Sequence, residues 1–117
     1  MMFLDTKPIY QQIKEIVLLK IFGGEYFPGY KLPSIREFAA QMQVNAKTIV
    51  QTYDALEQSG LIFTDSTNGK FVTRDGALIE REKQAFLSAA ADEFLRTAKA
   101  LGLSKKQIEE IIDGKDI

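Results

Sequence analysis

The sequence predicts a mainly α-helical chain with one small β-hairpin, an α+β arrangement in which three short helices precede the hairpin and two follow it. Three observations carry that expectation. Apolar residues recur at helical spacing before residue 60 and again after residue 76. Two runs rich in β-branched and aromatic residues, 61–64 and 70–74, flank an Asn-Gly pair. Ser or Asn stands where three of the helices would start.

The first helix is expected from about Pro8 to Phe22. Pro suits a helix start, where its missing N–H is not needed, and Ile9, Ile13, Ile16, Val17 and Ile21 form one apolar stripe. Gly23-Gly24 ends it, because Gly adopts the left-handed cap conformation at little cost. Pro28-Gly29 then signals a turn, and Lys31-Leu32 a very short strand. Ser34-Ile35-Arg36-Glu37 has the spacing of a capping box, so a second helix starts at Ser34 and ends near Gln43, burying Ile35, Phe38, Ala39 and Met42. Asn45 caps a third helix with Ile49, Thr52, Tyr53 and Leu56 inward and Gly60 at its end. Two short helices joined by about three residues make a helix-turn-helix.

Leu61–Thr64 and Lys70–Arg74 form the hairpin, with the polar tip Asp65-Ser66-Thr67-Asn68-Gly69 between them. Asp75-Gly76 marks a boundary between a unit at 1–75 and a helical segment at 76–117. That segment reads as one long helix from Ala77 to about Leu101, a break at Gly102, and a last helix capped by Ser104 with Gln107 in capping-box spacing. Asp113-Gly114 closes it.

Composition narrows the function classes. Apolar residues make up 45% of the 117, enough for a packed core. There is no Cys and no His, so disulfides, thiolate metal sites and the commonest general base are all excluded, no cofactor is called for, and an enzyme is disfavoured. No apolar run approaches a membrane span and no signal pattern opens the chain, so a soluble, cytoplasmic protein is expected. The charge balance points the other way from nucleic acid. The net charge is −1, and residues 1–75 carry eight Lys/Arg against eight Asp/Glu. DNA binding then requires the positive groups to be sorted onto one face.

Such sorting is visible. Three helices followed by a hairpin is the winged-helix order, in which the third helix enters the major groove and the hairpin reaches a neighbouring groove or phosphates. The outward start of helix three offers Asn45, Lys47, Thr48 and Gln51, while Asp54 and Glu57 fall in its second half. Arg36 projects from the first turn of helix two, and Lys70 and Arg74 flank the hairpin.

Several ordered motifs extend this pattern: Pro8-Ile9-Tyr10-Gln11-Gln12-Ile13, Pro28-Gly29-Tyr30-Lys31-Leu32-Pro33-Ser34-Ile35-Arg36-Glu37, Val44-Asn45-Ala46-Lys47-Thr48-Ile49, Tyr53-Asp54-Ala55-Leu56-Glu57 and Gly60-Leu61-Ile62. In register over residues 8–74, the chain resembles the GntR family of bacterial regulators. The resemblance implies that Arg36 contacts a base or phosphate, that Asn45, Lys47 and Thr48 read DNA, and that Gly69 approaches the minor groove. The sequence departs from the family at Ala46 and Val50, where many members carry Arg, and at Asp65 and Ser66, where basic residues are frequent. The reading burden shifts to Lys47, Gln51 and Arg36. Only 43 residues follow Arg74, which resembles the YtrA-like subgroup with its short helical dimerisation tail. The apolar stripe Phe86, Leu87, Ala90, Phe94, Leu95 and Leu101 needs more cover than one short helix supplies, so a homodimer over a palindromic site is expected.

Each assignment has a plainer counterpart. Arg36, Lys47 and Gln51 would suit any solvated helix face, Thr48 a back-bonding role, Asn68-Gly69 turn chemistry, and Tyr53 the core. The stripe at Phe86 and Phe94 would also serve intrachain packing. Glu109, Glu110, Asp113 and Asp116 fit a solvated face better than a metal site. The expected function is a sequence-specific DNA-binding transcriptional regulator, a dimeric repressor in type. Its partners are double-stranded DNA and a second copy; a cleft between tail and winged unit could hold an apolar small-molecule effector, whose existence the residues leave open. A protein-binding winged helix is the alternative.

Overall fold

The computed structural model of the chain describes Phe3 and residues 6–117. They form the elements α1 (Ile9–Phe22), α2 (Ile35–Met42), α3 (Ala46–Gln58), β1 (Ile62–Asp65), β2 (Gly69–Val72), α4 (Gly76–Ala100) and α5 (Lys105–Asp113). The chain divides into two compact units, residues 1–81 and residues 82–117.

In the first unit, α1 starts just after Pro8, whose carbonyl accepts from the N–H groups of Gln11 and Gln12. It buries Ile13, Val17 and Ile21 along one stripe. Helix α2 has the full capping box. Ser34 Oγ accepts from Glu37 N–H at 3.1 Å, and Glu37 Oε1 accepts from Ser34 N–H at 3.3 Å. Two of the helix's orphan donors are thereby satisfied reciprocally.

The turn into α3 takes three residues, each with one job. Gln43 adopts the left-handed conformation (φ 57°, ψ 47°) and is the one non-glycine residue with positive φ among the described residues. Val44 N–H donates to Ala39 O at 3.0 Å, and its side chain packs on the core. Asn45 caps α3, its Oδ1 accepting from Lys47 N–H at 2.9 Å.

Phe38, Ile49, Tyr53, Leu56 and Val72 are almost wholly buried between the three helices and the hairpin, and Ile79 packs against this core from the start of α4. Thr52, the buried polar residue here, is held by two backbone carbonyls: its Oγ1 lies 2.9 Å from Thr48 O and 3.2 Å from Tyr10 O. A hydroxyl buried without such partners would cost about 1–3 kcal/mol.

The hairpin pairs Ile62 with Val72, Phe63 with Phe71, Thr64 with Lys70 and Asp65 with Gly69. Lys31 bridges to Phe71, and Leu32 N–H donates to Lys70 O at 2.9 Å, so the segment after Pro28-Gly29 lines the outer edge of β2 through an isolated bridge, where the sequence predicts a very short strand. That edge would otherwise present unpaired backbone groups.

In the second unit, Ser104 caps α5 with the expected capping box, Gln107 N–H to Ser104 Oγ at 3.2 Å and Ser104 N–H to Gln107 Oε1 at 2.8 Å. Leu103 N–H donates to Ala98 O, which folds α5 back beside the end of α4 and buries Ala98 and Ile108. Most other apolar side chains of this unit remain open to solvent. Leu87, Phe94, Leu95, Leu101, Ile111 and Ile112 are all exposed, and Phe86 is half-buried. No helix among the described residues is long and apolar enough to cross a membrane.

Candidate nucleic-acid interface

Helix α3 presents its first two turns to solvent on the side away from the core. Ile49, Thr52, Tyr53 and Leu56 face inward, and Asn45, Lys47 and Gln51 are exposed. Thr48 is half-buried, and its carbonyl accepts from the Thr52 hydroxyl. Asn45 spends only its side-chain oxygen on the cap, which leaves its amide N–H₂ to donate. Arg36, in the first turn of α2, is exposed, and neither Arg36 nor Lys47 has a salt bridge among the described residues. Val50, 38% exposed, adds an apolar methyl surface to the first two turns of α3.

The hairpin tip is built by Asp65. Its Oδ1 accepts from Thr67 N–H at 2.9 Å and from Asn68 N–H at 3.2 Å, and its Oδ2 accepts from the Asn68 side-chain amide at 3.2 Å. These bonds hold the carboxyl below its ordinary range, the Thr67 N–H contributing most. An acidic residue at the hairpin tip is thus explained by turn chemistry: its carboxylate accepts from two backbone N–H groups and one side-chain amide. Gly69 follows with φ 111°, a conformation that a side chain would strain. A Cβ placed there would lie 3.6 Å from Lys31 Cε, so the exposed Lys31 stands against the tip.

Lys70 sits differently from the other sequence-selected residues. Its Nζ donates to Glu57 Oε1 at 2.6 Å and to Thr64 Oγ1 at 2.8 Å, and lies 6.0 Å from the centre of the Tyr53 ring. The Thr64 hydroxyl in turn donates to Glu57 Oε1. The ammonium and the hydroxyl together lower the Glu57 pKa, the Lys70 hydrogen bond contributing most. The Lys70 side chain is only 20% exposed. It therefore reaches from the hairpin to α3, where the sequence suggested a cation open to solvent. The physical reason is cross-strand register: Lys70 stands opposite Thr64, on the hairpin face that looks onto α3.

A groove of about 450 Å³ runs between the hairpin and the start of α2, bordered by Lys31, Ser34, Glu37, Tyr53, Asn68 and Lys70 among others. Its floor is fixed by Tyr53, whose hydroxyl donates to Pro33 O at 2.8 Å. Burial pushes the Tyr53 phenol far up, so it stays a donor.

Sequence reasoning selected Arg36, Asn45, Lys47, Thr48 and Gln51, which the fold places on α2 and α3, and Gly69 and Lys70, which it places on the hairpin. It passed over Lys31, Val50 and Glu57. Lys31 was readable only as part of a short strand, and Glu57 only as a charge distant from DNA. Among the described residues no cluster of acidic side chains could hold a metal ion.

The arrangement matches known proteins. The family model for bacterial regulatory proteins of the gntR family matches residues 9–72. The uncharacterized HTH-type transcriptional regulator YhcF of Bacillus subtilis is 35% identical over 96% of this chain and 90% of its own length. The HTH-type transcriptional repressor YtrA of the same organism is 29% identical over 92% and 84%. Among solved structures, a GntR family transcriptional regulator from Listeria monocytogenes superposes with a TM-score of 0.92 at 33% identity, covering 97% of this chain and all of that one. The DNA-binding domain of AraR in complex with operator ORR3 superposes with a TM-score of 0.57 at 29% identity, covering 62% of this chain and 88% of that one.

Proposed function

We propose, from the premise that this chain belongs to the gntR family of bacterial regulatory proteins, resembles its YtrA-like members and is a DNA-binding transcriptional regulator, that it acts as a homodimeric repressor on a palindromic operator in the cytoplasm. The reading set is Arg36, Asn45, Lys47, Thr48 and Gln51, with Gly69 at the wing tip. The observation that carries this reading is the exposed polar start of α3, where donors gather on the side opposite the buried stripe. A major groove admits a helix presented in this way.

The wing's phosphate contact falls to Lys31 and the backbone around Gly69, since Lys70 is already paired. Val50 offers its methyls to a thymine, which suits an operator read without the arginine-to-guanine contact. Winged unit and tail then act as separate parts, reader and dimer seam, with the start of α4 belonging to the winged unit and the division falling after residue 81.

The dimer rests on Phe86, Leu87, Ala90, Phe94, Leu95 and Leu101. Five apolar side chains exposed on two helices, Leu87, Phe94, Leu95, Ile111 and Ile112, make a surface that a second copy would cover isologously. We place an effector with an apolar body at the groove of about 350 Å³ within the tail, lined by Leu95, Leu103 and Ile108 together with Lys99, Lys105 and Glu109.

Fluorescence anisotropy with a duplex from immediately upstream of the protein's own coding sequence tests the reading. Tight binding that weakens steeply with salt is expected. Absent or salt-insensitive binding to every duplex tried would refute it. Sedimentation of Phe94→Asp tests the dimer: a shift from dimer to monomer is expected, and a wild-type monomer at all concentrations would refute that part.

A further inference from the structure

Resting on the DNA-binding reading, we propose that Glu57 is a positioning residue that locks the wing onto the recognition helix through Lys70 and Thr64, so that helix and wing meet DNA as one rigid reader. Glu57 lies in the last turns of α3, and Thr64 and Lys70 are a cross-strand pair on the hairpin. Three hydrogen bonds close a triangle among them: ammonium to carboxylate, ammonium to hydroxyl, and hydroxyl to carboxylate. Both charged side chains are mostly covered, 31% and 20% exposed. The Lys70 ammonium also lies by the face of the Tyr53 ring.

This geometry has a consequence for charge. A two-stranded hairpin is marginal by itself and swings with little resistance unless packed on something. Here Ile62 and Val72 pack the base of the hairpin into the core, and nearer the tip a short charge-assisted link adds a tie to the helix that carries Lys47 and Gln51. The link also cancels the Lys70 charge internally. Lys70 therefore releases no DNA counterion of its own, and it acts on affinity through the placement of Gly69 and Lys31.

The test is a double-mutant cycle with Lys70→Met and Glu57→Gln, read by anisotropy against the upstream duplex over a salt series. Each single variant is expected to weaken binding roughly threefold to tenfold, the range a partly covered ion pair supports. The slope of log affinity against log salt should stay at the wild-type value for Lys70→Met, and the double variant should bind no worse than the weaker single. A fall of about 0.9 in the slope for Lys70→Met, the signature of one lost phosphate contact, overturns the proposal. So does tighter binding by Glu57→Gln, which would mean that Glu57 merely restrains a DNA-seeking lysine. Additive losses in the double variant overturn it as well.

A second measurement needs no DNA. Amide hydrogen exchange of residues 62–72 should quicken in both single variants while the amides of α1 keep their protection. Unchanged hairpin exchange overturns the brace even if no duplex binds. Failure of wild type to bind any duplex overturns the DNA-binding reading and leaves the exchange result to decide the brace.

Discussion

Tyr53→Phe isolates one hydrogen bond that fixes the recognition helix. The Tyr53 ring is 1% exposed and stacks on Phe38 with centroids 6.0 Å apart. Phenylalanine keeps that ring, so no cavity opens. What disappears is the hydroxyl that donates to Pro33 O at 2.8 Å, tying α3 to the residue before the α2 cap. The lost bond and the unpartnered carbonyl together should cost about 1–2 kcal/mol. For a winged unit of this size that is a fall in Tm of roughly 5–10 °C, measured by thermal unfolding monitored by circular dichroism. DNA affinity should fall less, because the reading side chains are untouched. A Tm within experimental error of wild type would mean that water replaces the phenol at Pro33 and that the bond holds nothing. A loss above about 4 kcal/mol would mean that the ring itself shifts, and the assignment to a single hydrogen bond would be wrong.

Other perturbations separate reading from holding. Thr52→Val removes the hydroxyl shared between Thr48 O and Tyr10 O at nearly constant volume, and should cost about 1 kcal/mol in denaturant unfolding with no change in m-value. Lys47→Ala should leave Tm unchanged, because the side chain is exposed, while lowering DNA affinity. A loss of about 1–3 kcal/mol confined to the cognate duplex would mark a base contact, and a uniform loss with a shallower salt slope a phosphate contact. Glu57 has a folded pKa below its ordinary value, so the unfolded chain binds its proton more readily. Its stabilisation is full above that ordinary value, near 4.5, and is lost as pH falls through the lower folded value. Melts from about pH 7 down to about pH 3 should therefore converge for wild type and Glu57→Gln at the acid end, and a gap that widens with acid would contradict the sign.

What the sequence disclosed and what it withheld divide along the range of the interaction. The caps at Ser34, Asn45 and Ser104 are local chemistry within three residues, and all three form as their spacing implies. The buried stripe of α3 is also local, a matter of helical period. The Asn-Gly tip was legible as a turn, but not the role of Asp65, whose carboxylate organises that tip through two backbone N–H groups. The pairing of Lys70 with Glu57 lay further off. It joins residues 13 apart in sequence and depends on the hairpin register and on how the hairpin lies over α3. A lysine beside a wing reads as a free cation until that packing is known. The Tyr53–Pro33 bond spans 20 residues and was hidden for the same reason, although Tyr53 itself was legible as core.

The three-residue turn between α2 and α3 bears on how such a chain can change in length. Gln43 makes the corner, Val44 anchors it to Ala39 and Asn45 opens the next helix, so none of the three is spare. Adding or deleting a residue there would uncouple the cap from the corner and rotate the exposed face of α3 relative to α2. The exposed stretch Ser66–Asn68 carries no such burden on its side chains beyond the clasp on Asp65. Natural insertions and deletions in this lineage should therefore collect at the wing tip and spare the corner, so that the tip drifts in length while the distance from Arg36 to Lys47 stays constant.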